Sequence, residues 1–121
     1  MALHDPSPKL TYEDYLLFPD DGRRHELLDG EHFVTPSAFA PHHAVVQELG
    51  THLRVYLWSH PVGLLFSTSI DVVLARNTVV QPDLVFISQE RTEMIQEQKH
   101  VHGVPDLVVE VLSDSTRRFR P

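Results

Sequence analysis

Two carboxylates stand out by their settings. Asp83 follows Pro82, whose ring restricts the backbone at the mouth of an apolar run, Leu84 to Ile87. Glu110 lies inside the most hydrophobic segment of the chain, Leu107 to Leu112. An ionised carboxylate among aliphatic neighbours is costly unless something positive compensates it. A hard divalent cation such as Mg²⁺ does so with oxygen ligands while keeping several waters, which leaves room for a substrate phosphate. The same pattern suits a plainer arrangement, in which Glu110 pairs with an arginine or its end of the strand meets solvent.

Other chemistries find less support. Cysteine is absent, which excludes a disulfide scaffold, a thiolate metal site and a cysteine nucleophile. Nine histidines are scattered along the chain (His4, His25, His32, His42, His43, His52, His60, His100 and His102), and none forms the HExxH pattern of a zinc protease. Ser113 and Ser115 lack the Gly-x-Ser-x-Gly elbow of a serine nucleophile and suit a helix cap instead. Tyr56 and Trp58 have the rings to stack on bases, but packing, or a dimer contact for Trp58, is the expected use.

The elements that must position the two acids follow from pattern. Thr11 to Phe18 reads as a short helix capped by Thr11, with Glu13 and Asp14 at its positive end and Pro19 beyond it. Arg23 to Leu28 and Glu31 to Val34 flank Asp29-Gly30, a hairpin turn pair. A loop with Pro36 and Pro41 leads to a helix from His43 to His60, with Val45, Val46, Leu49, Leu53, Tyr56 and Leu57 on one face. Gly63 to Ser67, Ile70 to Leu74 and Leu84 to Ile87 read as strands, with a turn at Arg76-Asn77-Thr78. Ser88 to Lys99 is polar, as a helical turn or exposed loop. Leu107 to Leu112 reads as a central strand buried on both faces.

With 121 residues and 13.8 kDa, the chain has room for a single domain, 1–121, with a modest core. Hydrophobic residues at 41% and charged ones at 22% argue against disorder. No apolar run approaches the ~20 residues of a membrane span. The N-terminus carries His4, Asp5 and two prolines, unlike a signal peptide, so the expected location is the cytoplasm. Seventeen acidic residues against ten basic ones give a formal charge of −7, which disfavours a broad cationic surface for non-specific DNA binding. An active site built on carboxylates is compatible with that charge.

Five segments carry a resemblance when read in order: Thr11-Tyr12-Glu13-Asp14-Tyr15; Arg24-His25-Glu26-Leu27-Leu28-Asp29-Gly30-Glu31; Pro41-His42-His43; Val80 to Phe86, containing Pro82-Asp83; and Pro105 to Ser113, containing Glu110. Together the chain resembles the Uma2 family of restriction-endonuclease-like proteins, from about Leu10 to Arg118. The resemblance implies an α/β fold, the mixed sheet flanked by helices of the PD-(D/E)XK nuclease core. It implies that Asp83 is the aspartate of the PD half-motif and Glu110 the acid of the second half, both binding Mg²⁺ or Mn²⁺. Glu26 matches a further acidic position that completes the site, its plainer reading being a carboxylate at a hairpin edge. His43 matches a position near the site.

The departure is at Leu112, where the superfamily places a lysine. The chain has two lysines, Lys9 and Lys99, and none follows Glu110. Arg117, Arg118 and Arg120 supply charge, but arginine does not act as a base at neutral pH. The segment Ser113 to Arg118 reads as the beginning of a helix, so the last helix and strand of the family core are expected to be missing or supplied by a partner.

The expected function is Mg-dependent hydrolysis of phosphodiester bonds in nucleic acid, DNA before RNA. The alternative is a catalytically inactive module of the same fold for dimerisation or nucleic-acid association; a third reading is a fragment without function of its own. An uncovered sheet predicts a homodimer.

Overall fold

The Asp29-Gly30 pair makes the turn expected of it. In the computed structural model, which describes residues 9–36, 38–67, 70–96 and 100–112, Asp29 and Gly30 have φ of 48° and 83°. Positive φ at both positions matches the twist of a tight hairpin. It joins β1 (Arg24–Leu28) to β2 (Glu31–Thr35), with Leu28 opposite Glu31.

The helices differ in extent from expectation. The first, α1 (Tyr12–Tyr15), is a single turn, with the Thr11 N–H donating to Asp14 Oδ2 at 2.9 Å; Tyr15 is buried. The second, α2 (Ala40–Ser59), begins three residues before His43 because Pro41 lies in its first turn, where a missing N–H costs nothing. Its inward stripe is His42, Val46, Leu49, Gly50, Leu53 and Leu57. Val45 and Tyr56, expected on that stripe, are exposed, and Trp58 is 74% exposed rather than packed in the core.

Two sheets carry the remaining strands. β3 (Gly63–Phe66), β6 (Leu84–Ser88) and β9 (Leu107–Val109) form an antiparallel sheet with β6 in the middle. β4 (Val72–Ala75), β5 (Thr78–Val80), β7 (Ile95–Gln96) and β8 (His100–His102) extend the hairpin into a six-stranded sheet ordered β2-β1-β5-β4-β8-β7. Only the β4–β8 pair in it is parallel, so the architecture is the expected mix of strands and helices. The polar stretch after Ser88 forms a 3₁₀ turn, Gln89–Met94, and then β7, where no strand was predicted.

The segment 107–112 is not a central strand buried on both faces. β9 is three residues long at the edge of its sheet, and Leu107, Val108 and Leu112 are about half-exposed. The doubly buried strand is β6. Leu84 faces α2 beside Gly50, while Val85 and Ile87 pack with Val72 of β4 and Val101 of β8. This seam joins the two sheets. A second cluster, Tyr15, Leu27, Val73 and Val79, fixes α1 to the larger sheet. Among the described residues no helix is long and apolar enough to cross a membrane. Lys99, Ser113, Ser115, Arg117, Arg118 and Arg120 lie outside the described residues.

Candidate functional site

The site is set by the register of β6 against β9. Leu84 pairs with Val109, so Asp83, just before β6, and Glu110, just after β9, lie at the same end of the paired strands. Like charges gathered there repel, so these two acids require a cation. Arg24, on β1 of the other sheet, supplies it. Its Nη2 donates to Asp83 Oδ1 at 2.6 Å and its Nη1 to Glu110 Oε2 at 3.1 Å. The arginine pairing that the sequence leaves open for Glu110 is thus the one found.

Asp83 is the anchor. It is 8% exposed, and its second oxygen accepts the Val111 N–H at 2.7 Å and faces His42 Nε2 at 3.2 Å. His42 lies in the first turn of α2 and is also buried; its Nδ1 has no hydrogen-bond partner. With Nε2 donating to the carboxylate, Nδ1 is an acceptor turned into the protein. His43, expected near the site, is exposed, with its ring centroid 5.6 Å from that of His42, and it lines a cleft with Val46 and Gly50.

Glu26 shares the setting through its charge. On β1 it sits two residues from Arg24, and in a strand such residues point to the same face. Its Oε2 accepts the Gln81 N–H at 2.8 Å. Burial raises its pKa, with Asp83 adding to the rise, and the Gln81 N–H and Arg24 hold it back. Burial likewise raises the pKa of Glu110 against the pull of Arg24, although 45% of that side chain meets solvent. Burial acts to lower the pKa of Arg24, but Glu110, Asp83 and Glu26 outweigh it and leave the group more firmly protonated.

Gln81 ties this cluster to a second one. Its side-chain amide donates to Asp71 Oδ1 at 2.7 Å and to the Tyr15 hydroxyl at 3.0 Å, and that hydroxyl donates to Asp71 Oδ1 at 2.6 Å. His100 Nε2 approaches the other Asp71 oxygen at 3.1 Å. The segment from Gln81 to Asp83 is therefore held from both sides. On the β9 side, Asp106 accepts the Ser88 N–H at 2.6 Å and binds Arg91 at 2.9 Å, which fixes the lead-in to Glu110.

A cleft of about 550 Å³ runs beside the acids. Leu28, Leu74, Val104, Leu107 and Val108 line it, together with Glu26 and Glu110. Among the described residues, no three His, Asp or Glu side chains form a ready-made metal cage. What converges is a carboxylate pair with oxygen donors only, one member reaching solvent. That donor set fits Mg²⁺ or Mn²⁺, which bind through one or two carboxylates and keep their other ligands as water.

Arg24, His42 and Gln81 were not singled out by the sequence reading. For Arg24 a signal existed, its i, i+2 spacing from Glu26. His42 and Gln81 stand inside two of the segments that carry the family resemblance, but neither residue type at a helix start or before a proline marks a role by itself.

The chain matches the family model "Uma2: Putative restriction endonuclease" over residues 12–120. Among solved structures it is similar to "a putative nuclease belonging to DUF820" from Anabaena variabilis ATCC 29413, with a TM-score of 0.70 and 18% identity. The alignment covers 86% of this chain and 59% of that one, so the chain spans 59% of the length of that relative, and the two share a fold. No curated protein matches the chain. A family match that takes in nearly every element described above settles the kinship: the chain belongs to the Uma2 family.

Proposed function

We propose that this chain is a metal-dependent nuclease domain that hydrolyses phosphodiester bonds of nucleic acid, with DNA as the substrate. The observation that carries this reading is the convergence of Asp83 and Glu110, from neighbouring strands, on one cationic group. Asp83 and Glu110 would hold Mg²⁺ or Mn²⁺, and Glu26 stands beside them as the third acid. When bound, such an ion supplies charge stabilisation on a phosphoryl oxygen and a water acidic enough to attack phosphorus. Asp83, pinned by His42 and Val111, fixes the position of the pair. Glu110, half in solvent, faces incoming ligand. Glu26 is held in place by the Gln81 N–H at 2.8 Å.

The test is calorimetric titration of Mg²⁺ and Mn²⁺ into the chain and its Glu110→Ala and Asp83→Ala variants, beside cleavage of plasmid DNA and of RNA. Binding and cleavage lost in both variants support the reading. Unchanged binding in either variant overturns its site.

A second reading rests on the same contacts. Arg24 already neutralises both acids, as a purely structural ion cluster would, which suits an inactive nuclease-fold module that associates with nucleic acid or with a second copy of itself. Salt-sensitive DNA binding without cleavage at saturating Mg²⁺ is the outcome that selects it. Sedimentation at high concentration tests the dimer.

A further inference from the structure

The guanidinium of Arg24 stands where two carboxylate oxygens converge, the place a divalent ion takes if the nuclease reading, on which this inference rests, is right. We propose that Arg24 is an exchangeable counter-ion. It neutralises Asp83 and Glu110 when no metal is bound, gives way to the divalent cation, and then offers its charge to the substrate phosphate.

Four observations support exchange over a permanent clamp. First, Asp83 does not need Arg24 for its position. Its Oδ2 is held by His42 at 3.2 Å and by the Val111 N–H at 2.7 Å, and only Oδ1 faces Arg24. Departure of the guanidinium vacates one oxygen of an otherwise fixed carboxylate. Second, Glu26 is fixed independently by the Gln81 N–H at 2.8 Å, so the acidic wall persists as well. Third, the charge is not balanced. Arg24 brings one positive charge to the three acids Asp83, Glu110 and Glu26, and a divalent ion brings two. Fourth, there is a route. The Glu110 side chain is 45% exposed and that of Arg24 is 18% exposed, and the cleft beside Glu26 and Glu110 gives an ion access.

A released arginine suits the second role. Its planar fork matches two oxygens of a phosphate as well as it matches the two carboxylates it leaves. The positive charge therefore remains at the site after exchange, turned from protein acid to substrate anion.

The experiment is Mn²⁺ binding by calorimetry to the wild-type chain, Arg24→Gln, Arg24→Lys and Glu110→Gln, with circular dichroism to confirm folding. Removing a competing charge should raise Mn²⁺ affinity in Arg24→Gln by about tenfold or more, as expected for one unit charge at a few ångströms in a partly buried site. Arg24→Lys should fall between that variant and the wild type, and Glu110→Gln should lose binding. Equal or weaker Mn²⁺ binding by folded Arg24→Gln, with Glu110→Gln still defective, overturns the exchange and leaves the metal site standing. No binding by any form overturns both.

If Arg24→Gln does not fold, the wild type itself carries the test. Guanidinium NMR signals of Arg24 should show hindered rotation in the metal-free chain and free rotation at saturating Mg²⁺. Persistent hindrance after calorimetric saturation overturns the proposal. Loss of cleavage in Arg24→Lys with Mn²⁺ binding retained is the expected sign of its second role, and full cleavage by that variant removes the need for the forked contact.

Discussion

Arg24 and Asp83 meet across the boundary between the two sheets, 2.6 Å apart, in the best-buried ion pair that Asp83 makes with a permanently charged partner. Truncating Asp83 to alanine strands more than the guanidinium, because the Val111 N–H and His42 Nε2 lose the same partner. Breaking a buried pair from one side leaves uncompensated charge and unpaired donors. Asp83→Ala should therefore cost about 2–4 kcal/mol, read from urea unfolding in metal-free buffer. A loss within the range of an ordinary surface substitution would show that these contacts contribute little.

Glu26 carries a pH signature. Its folded-state pKa is raised above the ordinary 4.5, chiefly by burial. Such a group favours the folded state fully below the unfolded value, and that contribution is lost as pH rises through the folded one. Glu26→Gln keeps an acceptor for the Gln81 N–H and removes the penalty. The variant should be more stable than the wild type at neutral pH, by about 1 kcal/mol, the scale of burying an incompletely compensated polar group. The difference should shrink to near zero below pH about 4.5. Parallel denaturation curves across that range decide it.

Two glycines should respond in opposite directions to the same change. At Gly63 a methyl group would overlap the Ile87 carbonyl oxygen and the Phe86 ring, where β3 lies against β6. Gly63→Ala should cost about 1–3 kcal/mol as overpacking. At Gly50, inside α2, the nearest atoms to a new methyl are Leu84 Cδ2 and Ser67 Cβ, both at an ordinary 3.5 Å. Gly50→Ala should stabilise by about 0.5–1 kcal/mol through helix propensity. Thermal melting of both variants checks the pair.

Tyr15 links α1 to the strands through its hydroxyl, which binds Asp71 and receives the Gln81 amide. Tyr15→Phe keeps the ring in its cluster with Leu27, Val73 and Val79 but leaves those two polar groups one partner short. The expected loss is about 1–2 kcal/mol by chemical denaturation. Because Gln81 also supports Glu26 through its backbone, Mn²⁺ affinity should weaken together with stability. Weakened stability with metal affinity intact would separate the two clusters.

What was legible in the chain was what local chemistry dictates. The Asp29-Gly30 hairpin, the run at Gly63 and the strand after Asp83 follow from turn residues and branched side chains, and all are present. The start of α2 was misjudged because Pro41 reads as a loop residue, yet proline is at home in a first helical turn. β8, only His-Val-His, offered too little pattern, since its place depends on a parallel pairing with β4 nearly thirty positions away. The apolar run around Glu110 was read as doubly buried, and its aliphatic residues instead line a cleft at a sheet edge. Apolar composition reports that a segment prefers to leave water, and does not report how many neighbours cover it. Asp83 and Glu110 are visible as acids out of place and an arginine partner for Glu110 is foreseeable, but which arginine it is depends on another sheet.

That origin has a consequence for how the chain becomes competent. Arg24 and Glu26 belong to the six-stranded sheet, Asp83 and Glu110 flank strands of the three-stranded one, and Val72, Val85, Ile87 and Val101 hold the two together. Neither sheet alone holds the set. A species that keeps all its strands and loses only the docking of this seam would retain a folded far-ultraviolet spectrum and be blind to cations. The charge cluster is in effect a latch across a joint, closed only when tertiary assembly is complete, so cation binding at the proposed site would report assembly rather than secondary structure.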